Sequence, residues 1–301
     1  MPVIVSYSSC PLCFSSKISR ALVCKDHTVS KQDFEIWECA ACALRFTQSI
    51  PAEADISPYY QSENYISHSD TSKGVLNTLY KTARQYTLGR KRLFVMQQTG
   101  LVAGQIIDVG CGTGAFLNEM RQSGWQVTGL EPDPGARQKA KSLYRIEANE
   151  SNELFNLPKG YYDAITMWHV LEHVHRLHEN IAQIKQLLKP GGKFFIAVPN
   201  YTSPDAQHYQ QFWAAYDVPR HLYHFTPATI RQLAQQHGMV VTKVKPMVLD
   251  SFYISMLSEK YKHGSTRWLS AIWHGLKTMV VSAFNTEKSS SQVYVLEAKL
   301  K

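Results

Sequence analysis

The chain has 301 residues, of which 44% are hydrophobic, and 32 lysines and arginines against 24 acids give it a net charge of +8. That length accommodates one catalytic domain and a small accessory module, and no run is long or apolar enough to span a bilayer. The start, Met1-Pro-Val-Ile-Val-Ser6, lacks the basic and apolar regions of a signal peptide, so a cytoplasmic chain is expected. The basic balance fits an anionic partner (RNA, a phosphorylated or nucleotide-linked small molecule, a membrane surface) or a merely basic protein, since no compact Lys/Arg block is present.

Six cysteines stand at positions 10, 13, 24, 39, 42 and 111. Cys10-Pro-Leu-Cys13 and Cys39-Ala-Ala-Cys42 are two knuckles whose four thiolates can converge on a tetrahedral Zn²⁺. Redox pairs and disulfides are the alternatives, but a cytoplasmic chain rarely keeps disulfides, and two such pairs together favour metal. Four thiolates leave no open position for water, so this zinc is structural. Cys24 and Cys111 read as small buried residues. With the β-prone runs Phe34–Trp37 and Leu44–Thr47, residues 1–48 form a zinc-ribbon-like module. Residues 49–100 hold a Tyr-rich linker (Tyr59, Tyr60, Tyr65) and a basic helix over 75–98 that turns Leu76, Leu79, Leu88, Leu93 and Val95 inward.

From residue 101 strands and helices alternate to the end of the chain, which calls for a parallel sheet with crossover helices. Strands are expected at 105–109, 126–130, weakly at 144–147, then at 163–168, 193–198, 239–244 and 293–299. Helices are expected at 115–122, from Pro134 behind the cap Asp133, through Leu177, Ile181, Ile184 and Leu188, and from Pro227 behind the cap Thr226. Residues 250–290 read as an amphipathic helical insertion before the last strand, with Trp268, Trp273 and Phe284.

The most informative stretch is Ile106-Ile-Asp108-Val-Gly110-Cys111-Gly112-Thr-Gly114-Ala115-Phe-Leu117. Glycines at alternate positions after a strand let a ligand approach the backbone where a Cβ would block it. Gly110-x-Gly112-x-x-Ala115 also satisfies a dinucleotide fingerprint, but Asp108 and the third glycine set the stretch apart from one. Glu131 ends the second strand, where a carboxylate can take both hydroxyls of a ribose. After the fourth strand comes Trp168-His169-Val-Leu-Glu172-His173. It reads as packing, as a cofactor contact or general base, or as a divalent-metal cluster of His169, Glu172 and His173. Beyond the fifth strand, Tyr216 to Phe225 brings Arg220, His221, Tyr223 and His224 over the sheet, as a lid or as an acceptor site.

These motifs resemble the class I S-adenosylmethionine (SAM) methyltransferases, in the group of ubiquinone-biosynthesis O-methyltransferases. The segments that carry the resemblance are Ile106–Leu117, Gly129–Glu131, Trp168–Val174 and Leu187–Asn200, with Pro219–Phe225 as a weaker match. Cys39 to Thr47 resembles the zinc-binding domain that precedes some sugar C-methyltransferases. The resemblance implies a Rossmann-like α/β fold with a seven-stranded sheet of order 3-2-1-4-5-7-6 over residues 101–301. It implies SAM held by Asp108, Gly110, Cys111, Gly112, Gly114, Glu131, Pro132, Glu153, Leu154, Trp168 and His169. In such enzymes a Glu-x-x-Glu-His run binds a divalent ion; here His169 stands at the first position. The expected reaction is methyl transfer to an O or C atom of a small, anionic acceptor. His221, His224 or His169 would serve as base, and Arg220 would orient the acceptor. A zinc-ribbon RNA base methyltransferase is the alternative, although the Asn/Asp-Pro-Pro-aromatic signature is absent after strand four. A SAM-binding protein with a degenerate site is the third reading, against which Asp108, the three glycines and Glu131 all speak.

Overall fold

Two sheets divide the chain in the computed structural model, which describes residues 3–61 and 75–299, with the side chains of the first long helix described from residue 85 onward. Tyr65 and the side chains of Leu76 and Leu79 lie outside the described residues. Short strands β1 (Ile4–Val5) and β5 (Ile50–Pro51) pair with each other. Strands β2 (Ile18–Lys25), β3 (Asp33–Cys39) and β4 (Arg45–Thr47) form an antiparallel sheet between them. Each knuckle closes on a left-handed residue directly after its second cysteine, Phe14 at φ 61° and Ala43 at φ 59°. Their N–H groups donate to Cys10 O and Cys39 O at 2.9 and 2.8 Å, so the turn survives without the glycine that usually supplies this conformation.

The four knuckle sulfurs lie within 4.8 Å of one another, with Cys10–Cys42 and Cys13–Cys39 at 3.5 Å. Those separations are far beyond an S–S bond and close to the ~3.8 Å edge of a tetrahedron with Zn–S of about 2.3 Å. Cys10, Leu12, Cys39 and Leu44 are fully buried beneath the knuckles. The donor set fits a structural zinc ion.

Helix α1 (Val75–Thr99) leads to the central sheet. Its strands are β6 (Gln105–Val109), β7 (Gln126–Leu130), β8 (Tyr162–Trp168), β9 (Leu188–Pro199), β11 (Met239–Pro246) and β12 (Ser291–Ala298), with the short β10 (Tyr223–His224) belonging elsewhere. The order is β11-β12-β9-β8-β6-β7, parallel from β9 to β7 and antiparallel at β12 and β11. Relative to the expected 3-2-1-4-5-7-6 this sheet has six strands, lacking only the weak third. There α3 (Pro134–Tyr144) runs into the expected strand and is capped by Arg145 at φ 54°, and Ile146 then plugs the core. What survives of the third strand is a single parallel bridge, Leu130 to Asn149.

Phe94 and Val95 of α1 and Phe116 and Met120 of α2 (Ala115–Gln122) pack one face of the sheet, with Trp125 beside them. The other face carries α4 (Leu177–Leu187), through Ile181, Ile184 and Leu187, and α6 (Pro227–Gln236), through Ile230 and Leu233. The knuckles belong to this second core, where Phe14 stacks on His178. A short α5 (Pro204–Tyr209) follows β9, and the hairpin α7 (Asp250–His263) and α8 (Trp268–Phe284) fills the insertion before β12.

The two sheets are also stitched directly, because β10, from the loop after β9, pairs antiparallel with β4, Tyr223 opposite Phe46. Zinc therefore braces more than its own module. Elemental analysis should find about one zinc per chain, set by one four-thiolate site. Chelation should raise hydrogen exchange over residues 33–47 and also over 220–225 while β6–β9 stay protected. Zinc near zero, or exchange confined to the knuckles, would count against this coupling.

Candidate active site

Strand β6 carries Ile106 and Ile107 into the core and ends at the glycine turn. Gly110 and Cys111 both donate to Leu130 O, at 2.7 and 2.9 Å, which locks the turn onto the end of β7. The glycines serve different purposes. A Cβ on Gly110 would lie 2.4 Å from Val170 Cγ2, so this glycine lets the run after β8 close over the turn. A Cβ on Gly114 would press on Ala140 at 3.2 Å, where α2 meets α3. A Cβ on Gly112 would meet nothing within 4 Å. The space over Gly112 is open, as a ligand laid on the backbone requires.

Asp108 is buried and accepts from Thr166 Oγ1 at 2.6 Å. Burial pushes its carboxyl up to about 7, against the opposing pull of the Thr166 hydrogen bond and the Lys91 ammonium. Glu131 Oε2 accepts from Gly112 N at 2.8 Å and Oε1 from Asp133 N at 2.9 Å. Each oxygen keeps a lone pair for a ribose hydroxyl. Burial raises the Glu131 carboxyl too, with those two amides opposing. Cys111 is buried and Pro132 is exposed. Glu153 is exposed while Leu154 is buried, both in the turn that follows the Leu130–Asn149 bridge. Trp168 lies edge-on to Phe116, and Lys91 Nζ sits 4.4 Å from its ring centroid.

His169 takes φ 57°, a left-handed conformation uncommon outside glycine. Its Nε2 is 3.1 Å from Asp250 Oδ2 and its Nδ1 is 3.4 Å from Glu172 Oε1. Burial alone would lower this imidazole, but the two carboxylates outweigh it and carry it to about 9. Glu172 is fully buried, and the long 3.4 Å contact with His169 Nδ1 is the ion pair it makes there, with no closer hydrogen bond to either oxygen. Burial opposes its charge, yet His169, His221 and His173 hold it below the ordinary glutamate range.

Glu172, His173 and His221 each bring one donor atom within 4.8 Å of the others. His173 Nδ1 lies 3.0 Å from Arg220 O, and His221 Nδ1 lies 2.8 Å from Ala215 O. A carbonyl only accepts, so both Nδ1 atoms carry hydrogen and both Nε2 lone pairs are left for the cluster. The trio thus differs from the one expected from the sequence, with His221 in place of His169 beside Glu172 and His173.

The loop that supplies His221 is held from the N-terminal module. Arg220 is buried. Its Nη2 bonds Asp217 Oδ1 at 2.6 Å and Asp26 Oδ1 at 3.1 Å, its Nε bonds Asp217 Oδ2 at 3.0 Å, and its Nη1 bonds Tyr59 O at 2.8 Å. His224 Nε2 is 3.1 Å from Thr47 Oγ1, whose hydroxyl donates to His221 O at 2.6 Å. Burial drives His224 well below the ordinary imidazole range. Lys91, Thr166, Asp250, Thr47 and Asp26 were not singled out from the sequence. Lys91 sits inside an Arg-Lys-Arg run with nothing to mark it, and the others become partners only across the fold.

A sheet of this order, with an unobstructed backbone at Gly112 and carboxylates at the ends of β6 and β7, fits a SAM-dependent methyltransferase. The methyltransferase-domain family model matches residues 80–244, just over half of the chain, and the protein belongs to that family. It is similar to the ubiquinone biosynthesis O-methyltransferase of Nitrosococcus oceani, 27% identical over 199 residues, which cover 61% of this chain and 81% of that one. Its counterpart from Xanthomonas oryzae pv. oryzae is 32% identical over 118 residues, 36% of this chain and 48% of the relative, so the match spans about half of that protein. Among solved structures, magnesium protoporphyrin IX methyltransferase from Synechocystis PCC 6803 with bound SAH superposes with a TM-score of 0.52 at 14% identity, covering 80% of this chain and 97% of that one. Geranyl diphosphate C-methyltransferase from Streptomyces coelicolor A3(2) gives 0.52 at 13% identity, covering 77% and 88%. These two likenesses show the fold.

Two sets of variants test the site. Gly112→Val should abolish SAM binding by calorimetry because its side chain enters the open space, while Glu131→Ala should weaken it by about 1–3 kcal/mol. Unchanged affinity in both would contradict this placement of the cofactor. Arg220→Ala leaves Asp26 buried without its cation and should cost about 3–5 kcal/mol in denaturant unfolding. Backbone amides and Arg220 hold the Asp26 carboxyl well below its ordinary range, outweighing burial. Its contribution to stability is therefore present above pH ~4 and is lost as pH falls below it. The variant should show a shallower acid limb, and an identical limb would disprove the assignment.

Proposed function

We propose that this methyltransferase transfers its methyl group to a hydroxyl oxygen of a small-molecule acceptor placed between the glycine turn and the Glu172–His173–His221 cluster. The observation that carries this reading is the buried Glu172 carboxylate, met only by a long 3.4 Å contact from His169 and grouped with two imidazoles whose Nδ1 hydrogens are already committed. In the proposed reaction the acceptor O–H gives its proton to His221 Nε2. The oxygen attacks the methyl carbon in line, and the S–CH₃ bond breaks to leave S-adenosylhomocysteine. His169, tied to Asp250 and Glu172, would line the donor side, and Arg220 and His224 would hold the loop.

The residues of the cluster also suit a divalent cation, which would supply positive charge to lower the pKa of the acceptor hydroxyl. Glu172, His173 and His221 would hold it, with Arg220 O and Ala215 O fixing the tautomers. This is an alternative to His221 as base, because its single Nε2 lone pair would then be on the cation and the acceptor proton would leave to solvent. The choice of oxygen over carbon is supported by the ubiquinone-pathway relatives, which are O-methyltransferases by name. Arg220 is committed to Asp26 and Asp217, and the other cation on this side, Arg45, is paired with Glu38 at 2.7 Å and faces a cavity that does not include the cluster. Arg45 lines a cavity of about 610 Å³ together with Tyr201, Tyr216 and Gln207, and lies over the Tyr201 ring at 4.3 Å. The free state of the cysteines agrees with a cytoplasmic location.

Methyl-labelled SAM incubated with a deproteinised cell extract and, separately, with total RNA tests the acceptor class. Label is expected in the small-molecule fraction. Label in RNA, falling steeply with salt, would overturn the proposal. Glu172→Gln and His221→Ala should each lower kcat about 10²-fold or more while SAM affinity holds. Full activity in both would remove the cluster from the reaction.

A further inference from the structure

Helix α8 faces inward with small residues and outward with large ones. Ala271, Gly275, Thr278 and Ser282 are its buried positions. The contact is close, since a Cβ on Gly275 would lie 2.7 Å from the Phe252 ring of α7. Trp268, Leu269, Ile272, Trp273, Leu276 and Phe284 are exposed, with Leu269 at 87% and Phe284 at 90%. At about 100° per residue these side chains, with Val280, fill one continuous stripe along a helix of roughly 25 Å. A stripe of this size on a folded chain marks an interaction surface rather than scattered surface residues.

The charge around it selects the partner. Lys260, Lys262, Arg267 and Lys277 are all exposed on the α7–α8 hairpin. The hairpin has two acids. Glu259 is buried and accepts from Tyr209 and Ser270, and Asp250 is paired with His169. The hairpin therefore presents cations without exposed carboxylates, and Glu287, just beyond α8, is paired with Arg231, on a chain of net charge +8. A symmetric pairing of two copies through this stripe would set each basic rim against its twin, which costs rather than gains. No helix among the described residues is long and apolar enough to cross a membrane, so the stripe is suited to lying in a bilayer surface rather than spanning it.

We propose that α8 is an interfacial anchor that docks the protein on an anionic lipid bilayer. Trp268, Leu269, Trp273, Leu276 and Phe284 enter the headgroup boundary, and Lys262, Arg267 and Lys277 meet the lipid phosphates. Tryptophan suits that depth because its ring is apolar and its N–H is wet. The anchor is coupled to the catalytic centre through Asp250, the first residue of α7, at 3.1 Å from His169.

Flotation of the full-length protein with vesicles tests this, comparing phosphatidylcholine alone with a mixture holding roughly one-third phosphatidylglycerol. The protein should float with the anionic vesicles, and each of Lys262→Gln and Lys277→Gln should weaken binding about fivefold. Leu269→Glu with Trp273→Glu should abolish flotation. Because both positions are exposed, SAM affinity and thermal unfolding of that variant should stay as in the parent, which separates loss of docking from loss of fold. A protein that stays at the bottom of the gradient with anionic vesicles would overturn the proposal. So would a double variant that floats like the parent. A dimer in solution that the double variant dissociates, without vesicle binding by the parent, would give the stripe to a second copy instead.

Discussion

The Arg220 guanidinium, buried between Asp26 and Asp217, is the contact that holds the loop after β9, and with it the proposed acceptor side, to the N-terminal module. Asp26 belongs to the N-terminal module and Asp217 to the loop after β9, so one cation joins two parts of the chain that are 191 residues apart. Such a pair is not retained for stability alone, because desolvation offsets most of its attraction. What it fixes is position. Arg220 O receives the His173 Nδ1 hydrogen, and the next residue is His221. Backbone bonds run through the same place, Thr47 N to Leu222 O at 2.9 Å and Leu222 N to Glu172 O at 2.7 Å. The cysteine module, the loop and the cluster are thus one hydrogen-bonded unit, and a shift in any of them moves the two imidazoles.

This arrangement divides the site into halves of different origin. The donor half lies at the carboxyl ends of β6, β7 and β8, where parallel strands and a helix start leave room for a ligand. Its residues are close in sequence to their own strand ends, and the family match over 80–244 covers them. The acceptor half needs β4, Thr47 and Asp26, all outside that match. Tyr216 illustrates the dependence. Its hydroxyl accepts from Arg45 at 2.8 Å, and its ring stands edge-on to His224 at 5.0 Å, so the N-terminal sheet with its added strand β10 places it.

That division also explains what could be read from the sequence. Asp108, the three glycines and Glu131 are legible because a strand, a turn and a helix start are local events, and the chemistry of the turn is written in consecutive residues. The four cysteines are legible for the same reason. The weak third strand was expected at Tyr144–Glu147, but Tyr144 ends α3, Arg145 caps it in the left-handed region, and pairing with β7 begins only at Asn149. Arg220 is the instructive case. A lone arginine among aromatics in a loop has no local sign of the two aspartates that surround it in the fold, so its burial was hidden. His221 was read from the sequence as a candidate base, but its place beside Glu172 was not, since the pairing of β10 with β4 that sets the loop is non-local. The stripe on α8 was visible as amphipathic periodicity. Which face turns inward was not, because α7 selects the small residues, which permit a closer approach than leucine or tryptophan would.

A methyltransferase of this fold needs little from its chemistry beyond alignment, since the sulfonium is already a strong electrophile and the acceptor has to meet it in line. The discriminating work therefore falls on whatever positions the acceptor, and on the proposed function that is a loop whose conformation comes from a separate small sheet. Thr47 shows how direct the dependence is: its hydroxyl holds the carbonyl of His221 and receives the ring of His224 at once, so one side chain of the N-terminal sheet sets the two histidines of the loop. A zinc ion held by the four cysteines, of which Cys39 and Cys42 lie at the β3–β4 turn, would on the proposed function act on the reaction without touching either substrate. The module is a jig for the acceptor half, and exchanging it while leaving residues 101–301 intact would change what the enzyme accepts before it changed how the enzyme binds SAM.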